Sequence, residues 1–492
     1  MTLEEVTRII NSIEEKYPVD EWEVNGVKAW PYLRIELFIR FGAIALGSEG
    51  VKTRSTSYAV VLMNSLFKWF RAAWSDRKMN AKVAASPVLF VSDGVSFENI
   101  GNAWYDKFCD PWITYYEKNN VNTLMLTLEN NYLHPRYSKS KFIQFELNLV
   151  VILNLIKSKV FKTSIPMNGL RDFELFERDE ALSKFGVEIS RSWLSAKMSK
   201  VALYKQYFKG ILDKVKPKLV FIVSYYYDGS MALISLCREL GIKTVDIQHG
   251  IQNDFHLAYG SWSKVPKGGY DSLPDFFNVW SQTEFDSIRR WSKSLDRHQP
   301  VITGNIFLQK WKNPQDETIQ YFDRAIQSKL DKSKKTILYS KSPQTDSAEM
   351  KEGLYRVIEK TQGKYNWLIR LHPSMRNDKA AIIKDLQDYG ITQFALDYCT
   401  DYPLFAILRQ ADLHVTEQSS VVIEAGEFNL FSIITSRYGE AIYKAQIEAE
   451  KAIFVEKMEE IELAISHALS SKRASGMYAE EIDFTMYNYI LQ

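Results

Sequence analysis

A repeated alternation of strand and helix is the feature that most constrains how this chain folds. Its clearest instance is Pro217–Gly250, `PKLVFIVSYYYDGSMALISLCRELGIKTVDIQHG`, where an apolar strand, a helix and a second apolar strand follow one another. Gly241 stands where a glycine commonly ends a helix. Strands connected through a helix run parallel, with a right-handed crossover. The segment therefore predicts a parallel α/β sheet.

The same alternation recurs on both sides of a polar, charged stretch, Trp311–Lys335, which we interpret as a domain boundary. Further strands are predicted in Pro87–Gly94, Asn122–Glu129, Asp275–Ser281, Gln299–Asn305, Lys335–Ser340, Tyr365–Ser374, Ala411–Ser420 and Phe431–Ser436. The region 138–208 is predicted to be mostly helical. A chain of 492 residues is too long for one ordinary core. The predicted fold class is α/β, with two Rossmann-like doubly wound domains facing a cleft.

The predicted domain division has three parts. Residues 1–85 form an N-terminal helical or irregular extension, residues 86–310 a first Rossmann-like domain and residues 311–492 a second. The N-terminal segment is amphipathic and acidic, unlike a signal peptide. Leu147–Ile156 is the most apolar run and is too short to span a membrane, so it predicts a core helix.

Composition excludes several classes of function. Lys and Arg number 62 against 60 Asp and Glu, a formal net charge of +2, which argues against nucleic-acid binding. The three cysteines, Cys109, Cys237 and Cys399, are widely spaced and form no CxxC motif. Neither a zinc site nor a disulfide framework is expected, and a reducing compartment fits best. We therefore expect a cytoplasmic protein.

The polar residues of interest follow predicted strands, and ligands of such sheets bind at the carboxyl ends of the strands. His249 ends one strand beside Gly250. An imidazole there suits a general base or a phosphate ligand, although a strand-end histidine satisfied by backbone groups is the alternative. Asp228 and Asp93 follow two other strands and are candidate catalytic carboxylates, but each also suits an ordinary turn.

A second group, `RLHPS`, contains Arg370, His372 and Ser374. Pro373 disfavours helical geometry at His372 and so ends the strand there. Guanidinium, imidazole and hydroxyl groups all bind phosphate oxygens. The alternative is a capped turn between strand and helix, with the arginine in solvent.

A third group lies in `TEQSSVVIEAG`, where Ser419 and Ser420 precede a predicted helix and Glu424 follows one turn later. Paired hydroxyls at a helix N-terminus suit a phosphate, and the glutamate suits ribose hydroxyls. Plain N-capping by serine is the alternative. Gly304 and Asn305 form a further polar loop after a strand.

Several familiar motifs are missing from the sequence. It contains no Walker A sequence, no GxGxxG after a strand, no GxSxG elbow and no DxD. The remaining histidines have no partner at metal-ligand spacing and are interpreted as structural. They are His134, His256, His298, His414 and His467. Neither a metal nor a cofactor is expected.

The order of these motifs, an `HG` in the first half and then `GN`, `R-x-HP` and `SS-x-x-x-E`, resembles the bacterial GT-B superfamily of cell-surface polymer transferases. The pattern is most similar to the CDP-glycerol glycerophosphotransferases of teichoic-acid synthesis. The HP and serine motifs are also similar to those of sialyl-, polysialyl- and Kdo-transferases. The resemblance covers roughly Leu219 to Ser436.

The resemblance implies an acceptor-binding first domain and a donor-binding second domain. It implies that His249 is the catalytic base, with Asp228 and Asp93 as alternatives. His372, Ser419 and Ser420 would hold the donor phosphate, with Glu424 near the nucleotide sugar. Arg370, Ser374, Gly304 and Asn305 complete the predicted donor site. Several relatives use cytidine nucleotides, which implies a CMP- or CDP-linked donor.

The sequence departs from the family pattern in two places. Sialyltransferases carry two acidic residues before a glycine, whereas `SDG` supplies Asp93 alone. The glycerophosphotransferases have an aromatic residue and an aspartate before the serines, where this chain has Glu417 and Gln418.

The predicted function is metal-independent transfer of a sugar or polyol phosphate to a growing bacterial capsule, O-antigen or teichoic acid. A UDP-sugar 2-epimerase on the same fold and a non-catalytic scaffold of polysaccharide assembly are the alternatives. The expected partners are a nucleotide-activated sugar and a glycan or lipid-linked acceptor. A lipid-linked acceptor would place the protein peripherally at the inner face of the plasma membrane.

Overall fold

The computed structural model describes residues 1–45, 84–94, 96–100, 103–127, 135–138, 141–144, 169–250, 252–312, 317–343, 348–470 and 483–492. Sixteen strands are found in these ranges. They are β1 Glu23–Val24, β2 Val27–Lys28, β3 Val88–Ser92, β4 Phe97–Ile100, β5 Ala103–Asp106, β6 Thr123–Thr127, β7 Lys141–Gln144, β8 Leu219–Val223, β9 Lys243–Ile247, β10 Phe276–Val279, β11 Gln299–Ile302, β12 Lys335–Lys341, β13 Tyr365–Leu371, β14 Leu413–Thr416, β15 Ser432–Ile434 and β16 Ala452–Phe454.

The helices lie between and around these strands. The α-helices are Leu3–Lys16, Trp30–Ala45, Asp110–Lys118, Phe173–Glu177, Glu180–Lys184, Arg191–Val215, Asp228–Glu239, Gln282–Ser292, Ile306–Trp311, Glu317–Gln327, Ala348–Thr361, Lys379–Asp388, Asp397–Asp401, Leu404–Leu408, Val421–Glu427, Arg437–Ile442, Lys444–Glu448, Met458–Ser470 and Asn488–Leu491, with 3₁₀ turns at Pro373–Asp378 and Phe484–Tyr487.

Two parallel sheets form the centres of two domains. The first has seven strands in the order β11-β10-β9-β8-β3-β6-β7, and the second has five in the order β13-β12-β14-β15-β16. Every pairing within each sheet is parallel. The predicted fold class, two Rossmann-like α/β domains, is confirmed.

The central strands are continuous apolar runs because both faces of each sheet are covered. All five residues of β3, β6 and β8 are buried. Parallel sheets with helices on both faces require such strands, since neither face meets water. The matching register of β8 and β9, which pairs Val223 with Ile247, brings their carboxyl ends to the same edge.

The N-terminal helices share the core of the first domain. Glu14 and Arg34 form a fully buried ion pair, with 2.7 Å between Glu14 Oε1 and Arg34 Nε. Arg34 also donates to the Ser261 carbonyl at 2.8 Å, and its guanidinium lies over the Trp262 ring. Buried charges of this kind are stable when they are paired and hydrogen-bonded. The described part of the predicted extension is therefore an integral layer of the first domain.

The chain end also packs on the first domain. Tyr487 lies in a cluster with Trp112 and Phe221, and its hydroxyl donates to Asn278 Oδ1. The predicted second domain, 311–492, therefore differs from the structure at its end, where residues 483–492 contact the first sheet. Most of helix Ile306–Trp311 falls within the predicted first domain. In the structure it packs with the second domain, where Trp311 joins an aromatic cluster with Phe405.

Some elements were not predicted. The antiparallel hairpin β4–β5 contacts the second domain, where Tyr105 stacks on Phe307 with 5.4 Å between ring centroids. The short edge strands β7 and β16 were also missed, and β7 falls in the region predicted to be helical. Leu147–Ile156, predicted to be a core helix, lies outside the described residues.

Candidate active site

His249 lies two residues after the end of β9, at the carboxyl edge of the first sheet. Its Nε2 is 2.9 Å from Ser224 Oγ and 3.2 Å from the Tyr226 hydroxyl. Ser224 follows β8 with a left-handed backbone, φ 61°. A non-glycine residue in this region is strained by about 1–2 kcal/mol, so the surrounding fold must hold it in place. The strained turn places the serine hydroxyl against the imidazole.

The environment of His249 favours its neutral form. Burial lowers the pKa of His249, and the positive charge of Lys107 lowers it further, whereas Asp93 and the Ile247 carbonyl oppose this shift. The ring is flanked by Tyr226, and Phe108 contacts it edge-on with 6.2 Å between centroids. A neutral imidazole at physiological pH is able to accept a proton from a substrate hydroxyl.

The two alternative bases occupy different positions. Asp93 lies close enough to His249 to influence its pKa, and its carboxylate accepts hydrogen bonds from the Ser96 amide at 3.1 Å and the Ser96 hydroxyl at 2.8 Å. Asp228 instead pairs with Lys197 at 3.0 Å and Lys200 at 3.2 Å. The structure thus brings Asp93, and not Asp228, into the electrostatic neighbourhood of His249.

Lys107 is a site residue that motif reasoning missed. It lies in the turn after β5, which is built on the buried carboxylate of Asp106. That carboxylate accepts hydrogen bonds from Ser92 Oγ at 2.5 Å and from the amides of Phe108 and Cys109 at 3.0 and 2.9 Å. Burial and the charge of Asp93 raise the pKa of Asp106. The folded turn fixes the backbone from which the Lys107 side chain extends.

The `RLHPS` group forms the opposing side of the site. His372 follows β13 with φ −58° and ψ 146°, the extended geometry expected before proline, and precedes a 3₁₀ turn. Its Nδ1 accepts from the Ser374 amide at 3.2 Å and lies 2.8 Å from the Ser374 hydroxyl. An accepting Nδ1 places the ring proton on Nε2. His372 therefore presents a hydrogen-bond donor, while burial and Lys107 lower its pKa.

Arg370 lies behind this turn and does not point into solvent. Its Nη1 donates to the carbonyls of Cys399 at 2.5 Å and Tyr402 at 2.7 Å. Burial lowers the pKa of Arg370, partly offset by Glu98. The guanidinium thus anchors the chain around helix Asp397–Asp401 and supplies positive charge from beneath the site.

The `SS-x-x-x-E` group brings Glu424 to the site. Ser420 precedes helix Val421–Glu427 without a side-chain capping hydrogen bond, and Ser419 Oγ accepts from the Val421 amide at 3.4 Å. Burial raises the pKa of Glu424 to about 7, with Lys107 acting to lower it. Its Oε2 is buried and has no hydrogen-bond partner among the described residues. An unpaired buried carboxylate oxygen is costly unless a ligand satisfies it.

The two residues that replace the family pattern before the serines have structural contacts. Glu417 is buried, accepting from the Tyr339 hydroxyl and from the Ser342 amide, the latter at 3.0 Å. The backbone carbonyl of Gln418 accepts a hydrogen bond from the Tyr443 hydroxyl at 3.2 Å. Glu417 therefore holds together the loops after β12 and β14.

Gly304 and Asn305 form the turn between the two domains. Gly304 has φ 66°, which favours glycine, and Asn305 Oδ1 accepts from the Leu308 amide at 3.2 Å to cap the next helix. The backbone conformation of Gly304 and the capping hydrogen bond of Asn305 explain both residues in this turn without a bound donor.

The positive charge of Lys107 acts on residues of both domains. Its charge acts on the pKa of His249 in the first domain and on those of His372 and Glu424 in the second. Glu98 and Arg370 also act on Glu424. A predicted base, a predicted phosphate ligand and a buried carboxyl are thus all subject to the charge of Lys107. This convergence depends on how the domains meet, which no local sequence signal encodes.

The other histidines with described contacts are held inside the fold. His298 Nδ1 lies 2.6 Å from the Pro274 carbonyl, and His414 Nδ1 lies 2.9 Å from Ser432 Oγ. Within the described ranges, no cluster of three or more His, Cys, Asp or Glu residues has metal-binding geometry. No helix in these ranges is both long and apolar enough to cross a membrane.

No family model and no curated protein matches this sequence. Solved structures with a related fold include the UDP-GlcNAc 2-epimerase of Methanocaldococcus jannaschii, with 14% identity and a TM-score of 0.46 over 79% of this chain and 93% of that one. The Neisseria meningitidis enzyme of the same name has 12% identity and a TM-score of 0.45, covering 77% and 90%. The spinosyn rhamnosyltransferase SpnG has 11% identity and a TM-score of 0.41, covering 78% and 92%.

Proposed function

We propose that this protein is a glycosyltransferase that moves a sugar or polyol phosphate from a nucleotide-activated donor to a bacterial surface glycan. The observation that carries this proposal is that the positive charge of Lys107 acts both on His249 of the first domain and on His372 of the second. A transfer reaction needs a base beside the acceptor hydroxyl and positive or donor groups beside the departing phosphate. The two sides of this site supply these groups.

In the proposed mechanism, the donor lies against the second domain. His372 donates through Nε2–H to a phosphate oxygen, and Lys107 neutralises the charge that develops on the leaving nucleotide. Ser419 and Ser420 add hydroxyl donors, and Arg370 contributes charge from below. Pre-oriented donors of this kind stabilise a leaving group without reorganisation.

The acceptor hydroxyl lies against the first domain in this mechanism. Neutral His249 accepts its proton as the oxygen attacks the transferred group, and the bond to the nucleotide phosphate breaks. Asp93 then stabilises the imidazolium that forms, because its negative charge favours the protonated ring. We assign a CMP- or CDP-linked donor on the resemblance of the HP and serine motifs.

A second candidate, a UDP-sugar 2-epimerase, is favoured by one observation. Asp93 acts electrostatically on His249 and Glu98 on Glu424, so that three carboxyls belong to the site. Burial raises the pKa of Glu424 to about 7, which would let it exchange a proton near neutral pH. An epimerase would use such groups to remove and replace a sugar proton, with no acceptor.

Nucleotide binding and product analysis test the proposal together. Thermal shift of the purified chain with CMP, CDP, UDP, GDP and ADP is expected to show stabilisation by cytidine nucleotides. His372→Ala should abolish the shift, whereas the exposed His467→Ala should retain it. Transfer would appear as nucleotide release that depends on a glycan acceptor. Stabilisation by uridine nucleotides with an epimerised sugar and no release would establish the epimerase, and no binding of any nucleotide would favour the scaffold.

A further inference from the structure

A cavity of about 520 Å³ lies where hairpin β4–β5 meets the second domain. The hairpin contributes Glu98 and Trp104 to its lining. Tyr321, Arg376, Asp401 and Tyr402 line it from the other side. The cavity therefore requires both domains.

The aromatic lining offers open ring surface on a fixed support. Tyr321 is 55% exposed, and its ring meets that of Phe322 edge-to-face with 5.1 Å between centroids. Tyr402 packs on the same phenylalanine at 5.2 Å. Exposed aromatic rings bind flat apolar surfaces such as the C–H faces of sugar rings.

The polar lining matches hydroxyl groups better than phosphate. Glu98 and Asp401 supply carboxylates, and Arg376 supplies one guanidinium. Asp401 is paired with Lys379 at 3.3 Å, which holds it in position. Carboxylates accept hydrogen bonds from hydroxyls and repel phosphate oxygens. A second nucleotide is therefore disfavoured, and a neutral saccharide fits the lining.

Glu98 connects this cavity to the catalytic cleft. It lines the cavity, and its charge raises the pKa of Glu424 in the site. Its Oε1 also accepts from the Leu404 amide at 3.5 Å, whereas Oε2 is buried without a partner in the described part of the chain. Glu98 thus lines the cavity and also acts through its charge on a carboxyl of the catalytic cleft.

We infer that this cavity binds neutral sugar units of the acceptor glycan, close to the hydroxyl that is glycosylated; this inference rests on the proposed function. The hairpin and the Tyr321 face would hold the sugar rings, and the carboxylates would orient their hydroxyls. Binding would order the two domains around the acceptor because both contribute to the lining.

Binding of the full chain to an array of bacterial capsular, O-antigen and teichoic-acid glycans tests the inference. Wild type should bind a defined group of neutral glycans. Tyr321→Ala and Arg376→Ala should each weaken that binding about 3- to 10-fold. Both residues are exposed, so the variants should fold. Tyr489→Ala, which removes an exposed tyrosine outside the cavity lining, should bind as wild type does.

Nucleotide binding, measured on the same preparations by thermal shift, separates the two proposals. All four proteins should retain it. The cavity inference alone would be overturned if nucleotide binding is retained but no glycan binds. It would also be overturned if nucleotide binding is retained and Tyr321→Ala binds glycan as wild type does. Glycan binding that is weakened in both cavity variants, in a protein that binds no nucleotide, would support the cavity and refute the proposed transferase.

Discussion

His249 is subject to opposing electrostatic influences that set its protonation state. Burial and Lys107 disfavour the imidazolium, and Asp93 favours it. The net effect lowers its pKa below the ordinary value of 6.5. As a general base it works only when neutral, so activity should fall as the pH drops through this lowered pKa. The acid limb of kcat is therefore expected below pH 6.5.

Lys107→Ala should move that acid limb to higher pH. Removing the positive charge makes the imidazolium less unfavourable, which raises the pKa of His249, and a higher pKa needs a higher pH to deprotonate the base. The measurement is kcat against pH at saturating donor, so that donor binding by His372 does not enter. Lys107→Arg retains the charge and should leave the limb in place.

Two further variants determine whether this limb belongs to His249. His249→Gln should reduce kcat by roughly 10²–10⁴-fold and remove the limb. Lys118→Ala, an exposed lysine at the end of the next helix, should leave the profile unchanged. A limb that stays at the same pH in Lys107→Ala would show that Lys107 does not tune the base.

At the scale of elements, the turn after β8 combines strain with a site contact. Ser224 is buried at φ 61° and contacts His249 through its hydroxyl. Replacing it by glycine or alanine removes the hydroxyl in both cases. Alanine retains the strain, whereas glycine adopts this conformation without it. Ser224→Gly should therefore be more stable than Ser224→Ala by about 1 kcal/mol in the free energy of unfolding.

Urea unfolding of the paired variants measures this difference, and Ser199 supplies the control. Ser199 lies inside helix Arg191–Val215, where alanine is favoured over glycine by about 1 kcal/mol. The order of stability should therefore reverse there. If the alanine variant were more stable than the glycine variant at both positions, the Ser224 backbone would not be strained.

The elements show what sequence patterns encode and what they leave out. The strand–helix–strand unit was predicted correctly, including Gly241, which has φ 71° after helix Asp228–Glu239. The end of β13 before His372 was also correct, because proline restricts the residue before it locally. These features depend on apolar runs and backbone preferences within a few residues.

The missed features depend on contacts between distant segments. Hairpin β4–β5 has strands of only four residues, too short for a clear alternation, and its position is fixed by packing on the second domain. Lys107 joins the site for the same reason. Asp228 looked equivalent to Asp93 from its strand-end position, but it pairs with Lys197 and Lys200 on the preceding helix, 31 and 28 residues earlier in the chain.

At the scale of the whole molecule, both chain ends contribute to the first domain. The N-terminal layer is held by the buried Glu14–Arg34 pair, and the C-terminal segment covers the sheet near β10. The chain therefore passes from the first domain to the second and returns. This arrangement links the stability of the first domain to residues that follow the second along the chain.

Tyr487→Ala tests this link. Tyr487 is 1% exposed, and its ring packs against Trp112, Phe221 and Phe276. Removing a buried aromatic side chain leaves a cavity and should lower the free energy of unfolding by about 3–5 kcal/mol. Hydrogen exchange should increase in β8 and β10 of the first sheet, and not in β12 or β13 of the second. Tyr489→Ala, two residues away and 61% exposed, should change little. Equal exchange increases in both sheets would instead show that the chain end stabilises the molecule as one cooperative unit.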